Sequence, residues 1–278
     1  MVARHRHGER AVTMLRSPRH LSGLALLVLL AAFALAGPWV AGRAPFEQNL
    51  YGILQAPSLQ EPLGTDHLGR SMLARLASAS RLSLGLAVLS VLTAAIPGTL
   101  LGLLAAWRGG WTARTIGAIA DAVLALPGLL LVLLLSAFAP GAFWPLYVGL
   151  SLVLWVEYFR VTRASAAVQL ASEHVEAARL LGFGPMHVLR HHVLPEVLPL
   201  LGTLMSFGAS AAVLALAAMG FVGLGAQPPS AELGLMMTEL LPYAAEAPWI
   251  IASPIVVLTL ATLTMVLLGG GANRRHAA

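Results

Sequence analysis

Six stretches of about twenty apolar residues dominate this chain, and they restrict it more than anything else in the sequence. They cover residues 21–40, 82–107, 116–138, 143–159, 198–224 and 249–268. Roughly 30 Å of hydrocarbon divided by 1.5 Å per helical residue requires about 20 residues, so each stretch matches one crossing. A backbone in hydrocarbon must satisfy its own hydrogen bonds, so the crossings are read as helices. The composition agrees: of 278 residues, 58% are hydrophobic and 10% charged, against about a quarter charged in an average soluble domain. The expected fold is an all-α membrane protein with six transmembrane helices.

Its basic residues are all arginine, because the chain has no lysine, and it has no cysteine. A Walker A loop ending in Gly-Lys-Ser/Thr and a Schiff-base lysine are therefore excluded. So are disulfides, thiolate metal sites and cysteine nucleophiles. Ser90 and Ser151 lie in apolar stretches with no His/Asp arrangement near them in sequence, so no catalytic constellation is read. If the system uses ATP, another chain must bind it.

The arginines set the expected orientation. Thirteen fall on one side: Arg4, Arg6, Arg10, Arg16, Arg19, Arg108, Arg114, Arg160, Arg163, Arg179, Arg190, Arg274 and Arg275. Four fall on the other: Arg43, Arg70, Arg75 and Arg81. Both termini are thus expected in the cytoplasm. Arginines at helix ends do not make one basic face, so nucleic acid is not an expected partner, whereas membrane lipid is. A competing reading takes Ala34-Leu35-Ala36 before Gly37 as a signal-peptide cleavage site, leaving five spans. The apolar stretch runs on through Pro38-Trp39-Val40, longer than a usual signal core, which favours the six-span reading.

This divides the chain into a cytoplasmic tail (1–20), a first span (21–40), an outer loop (41–81), a core of five spans (82–270) and a cytoplasmic tail (271–278). In the outer loop, Thr65-Asp66 can cap a helix whose Leu68, Met72, Leu73 and Leu76 share a face. It is read as an amphipathic segment lying on the membrane surface, with packing against the spans as the alternative. The longest cytoplasmic piece, 161–197, holds Ser172 as a helix cap, Glu173 and Glu176 in the first turn, and an apolar stripe of Val175, Ala178 and Leu181. Gly182 and Gly184 break that helix, and Pro185 suits the start of another. The spacing predicts two short helices joined by a glycine elbow.

Glu176-Ala177-Ala178, Gly182 six residues after the glutamate, and Leu194-Pro195 at twelve and thirteen after the glycine follow one pattern. It resembles the EAA signature of the membrane subunits of bacterial ABC importers. Four further motifs resemble the second permease subunit of the peptide/nickel branch. They are 63–70 (Leu-Gly-Thr-Asp-His-Leu-Gly-Arg) with Arg81-Leu82-Ser83-Leu84, Asp121 with Pro127, Trp155 with Arg160 and Arg163, and 223–229 (Gly-Leu-Gly-Ala-Gln-Pro-Pro). The chain departs from that branch at Ser71, Glu196 and Leu233. The resemblance implies a multi-pass subunit of the bacterial inner membrane that forms the pathway for peptides, or for a nickel or other metal complex. It implies a second homologous permease, two ATP-binding subunits that hold ATP and magnesium, and a periplasmic or extracellular substrate-binding protein. It also implies that Glu176, Ala177, Ala178, Gly182, Leu194 and Pro195 belong to the coupling segment, and that this chain carries no cofactor of its own. The rival reading is a self-sufficient secondary transporter or channel, which would show inverted repeats that this sequence lacks.

Asp121 lies near the cytoplasmic end of its span, which favours a structural pair with Arg114, Arg160 or Arg163 over a substrate site. Gly98 and Gly102, and the small residues Ser206, Ser210, Ala211 and Ala215, suit close helix packing. Gly202 and Gly208 make the fifth span the candidate pore-lining or mobile helix. His5 and His7, and the adjacent His191 and His192, lack metal-ligand spacing, since helix neighbours point about 100° apart.

Overall fold

In a computed structural model, residues 18–139 and 141–270 are described. Ten helices account for most of them: α1 (Pro18–Val40), α2 (Met72–Arg108), α3 (Gly110–Leu124), α4 (Gly128–Phe138), α5 (Trp144–Leu170), α6 (Glu173–Leu180), α7 (Pro185–Val188), α8 (Leu194–Phe221), α9 (Leu233–Leu240) and α10 (Pro248–Gly269). A π-helical turn, Leu189–Val193, welds α7 to α8, and a 3₁₀ turn, Leu241–Tyr243, follows α9. The described residues contain no strand, only two isolated bridges, Thr65 with Ser71 and Gly141 with Ala226.

The centre of the bundle is the pairing of α2 with α5. A Cβ built at Gly98 would lie 2.6 Å from the Trp155 carbonyl oxygen and 2.7 Å from Tyr158 Cβ. One at Gly102 would lie 2.8 Å from the Phe159 oxygen and 2.8 Å from Thr162 Cβ. Only glycine lets the two backbones approach this closely, the expected use of small residues four apart. The register, with Gly98 beside Trp155 and Gly102 beside Phe159, makes the two helices parallel. The chain must therefore recross the bundle between them, which α3 and α4 do. Across that layer, Thr93 and Ser151 hydroxyls lie 2.9 Å apart. Tyr158, fully buried, fills the space between α2 and α8, where a Cβ on Gly208 would reach its hydroxyl at 2.5 Å.

Four helical segments are long and apolar enough to cross a membrane: Pro18–Val40, Met72–Arg108, Pro185–Phe221 and Pro248–Gly269. The expected third span, 116–138, is two helices, α3 and α4, bent by 76°. The break falls where Pro127 removes a backbone donor and forces Leu126 away from helical geometry. If the bent pair crosses as one, it is the fifth segment. The expected fourth span extends into the 27-residue α5, whose Glu157, Arg160 and Arg163 lower its apolarity.

The outer-loop helix also differs from the sequence reading. Residues 65–71 form turns, and the helix begins at Met72 and runs unbroken to Arg108, so 72–81 are the first turns of α2 rather than a separate surface segment. The side chain of Asp66, expected as a cap, is drawn instead into a buried ion cluster. The N-terminal tail to residue 17, with His5 and His7, and the 271–278 tail lie outside the described residues.

Gly98→Leu should overpack the α2–α5 contact and destabilise the protein by about 1–3 kcal/mol. Gly202→Ala, at a site with nothing within 4 Å, should be neutral or mildly stabilising. Thermal unfolding of the detergent-solubilised protein measures both; equal stability of the two variants would contradict this packing.

Candidate coupling surface and the opposite ion cluster

The helix directions bring the ends of α2 and α5, all of α6 and α7, and the start of α8 to one end of the bundle. There α6 starts at Ser172, whose carbonyl accepts from Val175 and Glu176 amides at 3.1 Å. Its hydroxyl does not cap the helix as expected; it turns back to the Gln169 carbonyl at 2.5 Å. The helix stops in a Schellman arrangement: the Phe183 amide donates to the Ala178 carbonyl at 3.1 Å and the Gly182 amide to Arg179 at 3.0 Å. That closure requires Gly182 at φ +80°, with open space where a Cβ would stand, so the glycine is there for conformation rather than for room. Gly184 and Pro185 then start α7.

Val175, Ala178, Val188 and Val193 are buried and hold the elbow to the bundle. Arg179 adds a second attachment, its guanidinium 5.8 Å from the Trp107 ring at the end of α2. The outward side is apolar: Leu180 is 84% exposed, Leu181 76%, Met186 71% and Phe183 46%. Leu181 therefore leaves the stripe expected with Val175 and Ala178, because it lies beyond the last helical turn. Of the residues expected in the coupling segment, Glu176, Ala177, Gly182 and Pro195 are exposed, Leu194 is partly covered, and Ala178 packs inward.

Four histidines cluster on the elbow, His174 and His191 exposed and His187 and His192 partly covered. His187 stacks between Phe183 and His191, at ring distances of 4.3 and 4.2 Å, while His192 meets His174 at 5.6 Å. Among the described residues no group of three or more His, Asp or Glu side chains could hold a metal. On the side of α5, Arg160 donates to Asp121 at 2.5 Å, both half-exposed or more. Arg163 takes no part and reaches the Ala113 carbonyl at 3.5 Å.

At the opposite end, Asp66 lies wholly buried between two guanidiniums. Arg70 Nε and Arg75 Nη1 each donate to Oδ2 at 2.6 Å, and the Leu68 and Arg70 amides donate to Oδ1 at 2.8 and 2.9 Å. Arg75 continues to Glu239 of α9 at 2.5 Å, so the loop before α2 is fastened to the helix before α10. Beside it, His67 stacks on Tyr243 at 4.9 Å. Burial alone would raise the Asp66 carboxyl, but Arg75, the Arg70 amide, Arg70 and the Leu68 amide outweigh it and hold it below its ordinary value of 3.8. Asp66, Arg70 and Arg75 stand close together in the sequence, but the pattern there did not mark them as a cluster, and the fourth member, Glu239, is 164 residues from Arg75. Glu232, likewise unanticipated, caps α9 by accepting from the Gly234 and Leu235 amides at 3.1 and 2.9 Å.

Asp66→Asn leaves the buried Arg70 and Arg75 guanidiniums to share Glu239 alone and should cost about 3–5 kcal/mol. Because the folded carboxyl titrates below 3.8, its stabilisation is complete above that pH and is lost as pH falls further. Melting temperature against pH should decline in wild type below that point and lose this component in Asp66→Asn; identical stability at neutral pH would contradict the cluster's role.

Residues 98–277 match the family described as binding-protein-dependent transport system inner membrane component, a stretch that contains the whole elbow. A di/tripeptide transport system permease protein DppC of Pseudomonas aeruginosa is 37% identical over 90% of this chain and 85% of its own length. Dipeptide transport system permease proteins DppC of Escherichia coli K12 and Haemophilus influenzae are 36% and 31% identical, over 90% of this chain and 85% and 87% of theirs. The inward-facing MetNI methionine ABC transporter contains a chain of similar fold, with a TM-score of 0.53, 20% identity, and coverage of 69% of this chain and 93% of that one. With its apolar spans, its glycine-bonded core and this agreement along most of its length, the chain belongs to the family of inner membrane components of binding-protein-dependent transport systems.

Proposed function

We propose that the chain is a permease subunit of an ATP-driven importer of short peptides, with the elbow of α6 and α7 as the surface through which it receives work. The observation that carries this is the exposed Leu180, Leu181, Phe183 and Met186 on a rigidly capped turn. Exposed apolar side chains gathered at a bundle end mark a surface that a partner covers. The chain's own lack of lysine leaves the P-loop, ATP and magnesium to that partner. Two such ATP-binding subunits, a second homologous permease and an external binding protein complete the system.

In this reading the membrane is crossed six times, by α1, α2, the bent α3–α4 pair, α5, α8 and α10, with both termini in the cytoplasm. The parallel run of α2 and α5 supports it, since parallel neighbours require an intervening crossing. The arginines support the orientation: Arg108, Arg114, Arg160, Arg163, Arg179 and Arg190 gather at the elbow end. Closure of the ATP-binding subunits would displace α6. Val175 and Ala178 would pass that motion into the bundle, and the π-helical turn would pass it to α8. The result is rigid-body movement between two states, with free energy supplied by contacts that differ between them. Peptide as the cargo rests on the relatives named DppC.

Proline cannot adopt φ +80° and lacks the amide that Gly182 donates to Arg179. Gly182→Pro should therefore reduce binding-protein-stimulated ATP hydrolysis and peptide uptake in proteoliposomes by tenfold or more, while the chain still inserts and assembles. Normal uptake by Gly182→Pro would overturn the coupling assignment. Peptide flux through the purified chain alone would favour a self-sufficient transporter.

A further inference from the structure

The motif Arg81-Leu82-Ser83-Leu84 has no part in coupling, and the structure places it at the other end of the bundle. Of the four arginines there, Arg43 pairs with Glu61, and Arg70 and Arg75 share Asp66 and Glu239. Among the described residues Arg81 has no carboxylate or other hydrogen-bond partner, and it is exposed.

It is exposed into a cleft of about 600 Å³, within the range of small-molecule sites. Phe46, Leu89 and Phe143 form apolar walls, and the polar side chains on the lining are Arg81, Ser78 and Ser230. Both hydroxyls are unpaired. The Ser78 hydroxyl makes no bond to the carbonyl four residues back, unlike Ser80 to Leu76 and Ser151 to Tyr147, and is left available. Ser83, one turn on, is already committed to Glu232 at 3.3 Å. The cleft thus gathers one cation and two free hydroxyls from α2 and the α8–α9 connection against aromatic walls.

We propose that this cleft is a transit site for short peptides, in which Arg81 binds the C-terminal carboxylate, Ser78 and Ser230 donate to it, and the aromatic walls receive an apolar side chain. The proposal rests on the peptide-importer reading and adds a substrate contact to it. A guanidinium binds a carboxylate through two parallel N–H bonds, geometry that a single compact ammonium cannot reproduce fully. A neutral amide in the same place loses the charge-assisted part.

The test uses the complete transporter in phosphatidylcholine nanodiscs without binding protein, and the probes are the dipeptide Ala-Phe and its C-terminal amide, followed by saturation-transfer NMR. Wild type should bind the acid about ten- to a hundredfold more tightly than the amide. Arg81→Gln should bring the acid to the amide's affinity without changing the amide, and Arg81→Lys should keep part of the preference. Unchanged acid binding in Arg81→Gln, or no acid–amide difference in wild type, overturns the site. A dependence on Arg81 that emerges only with phosphatidylglycerol present overturns it in favour of a lipid phosphate. Binding-protein-driven Ala-Phe uptake by wild type separates the two readings. Uptake with unaltered Arg81→Gln binding removes the site alone, whereas no uptake removes the peptide reading on which it stands.

Discussion

Everything in this protein depends on how closely α2 and α5 approach. With hydrocarbon outside, helices gain little from burying apolar surface against each other, so the bundle relies on van der Waals contact and on fitting backbone to backbone. Gly98 and Gly102 allow that fit against Trp155–Thr162, and the resulting parallel pair dictates the rest. It requires the chain to return along the bundle through α3 and α4, and it brings the end of α2 beside α6, where Trp107 meets Arg179. It also carries the start of α2, with Arg75 and Arg81, to the other end. One contact thus sets the position of both the elbow and the Arg81 cleft.

The two ends are built on different physics. The elbow is held by four small or branched apolar residues and one cation–π contact, and its outer side is left uncovered. Such a surface suits a partner that must be gripped yet must also move. The opposite end is fastened by an ionic cluster with no free valence on Asp66, which ties the loop before α2 to α9. A rigid rim there would keep the cleft around Arg81 in shape while the elbow moves.

How legible all this was differs by element. The apolar stretches and the elbow could be read because their signals are local: twenty apolar residues, a Gly at the end of an eight-residue helix, a Pro after it. Gly98 and Gly102 announced close packing but not a partner, because a small-residue face does not say what it meets. The Asp66 cluster was hidden for the same reason. Glu239 lies 164 residues from Arg75, and Thr65-Asp66 fitted a capping pattern locally, so the three near members did not show that they were paired. The break at Pro127 could have been seen from the proline itself; the apolar run around it masked the signal.

The coupling assignment is open to one direct measurement, made simple because the chain has no cysteine. Ala177→Cys places a lone thiol on the exposed side of α6. In inside-out vesicles a membrane-impermeant maleimide should label it when the ATP-binding subunits are stripped away, and those subunits should protect it when they are restored. Labelling from the outer side of intact cells would contradict the orientation, and labelling indifferent to the ATP-binding subunits would contradict the docking surface.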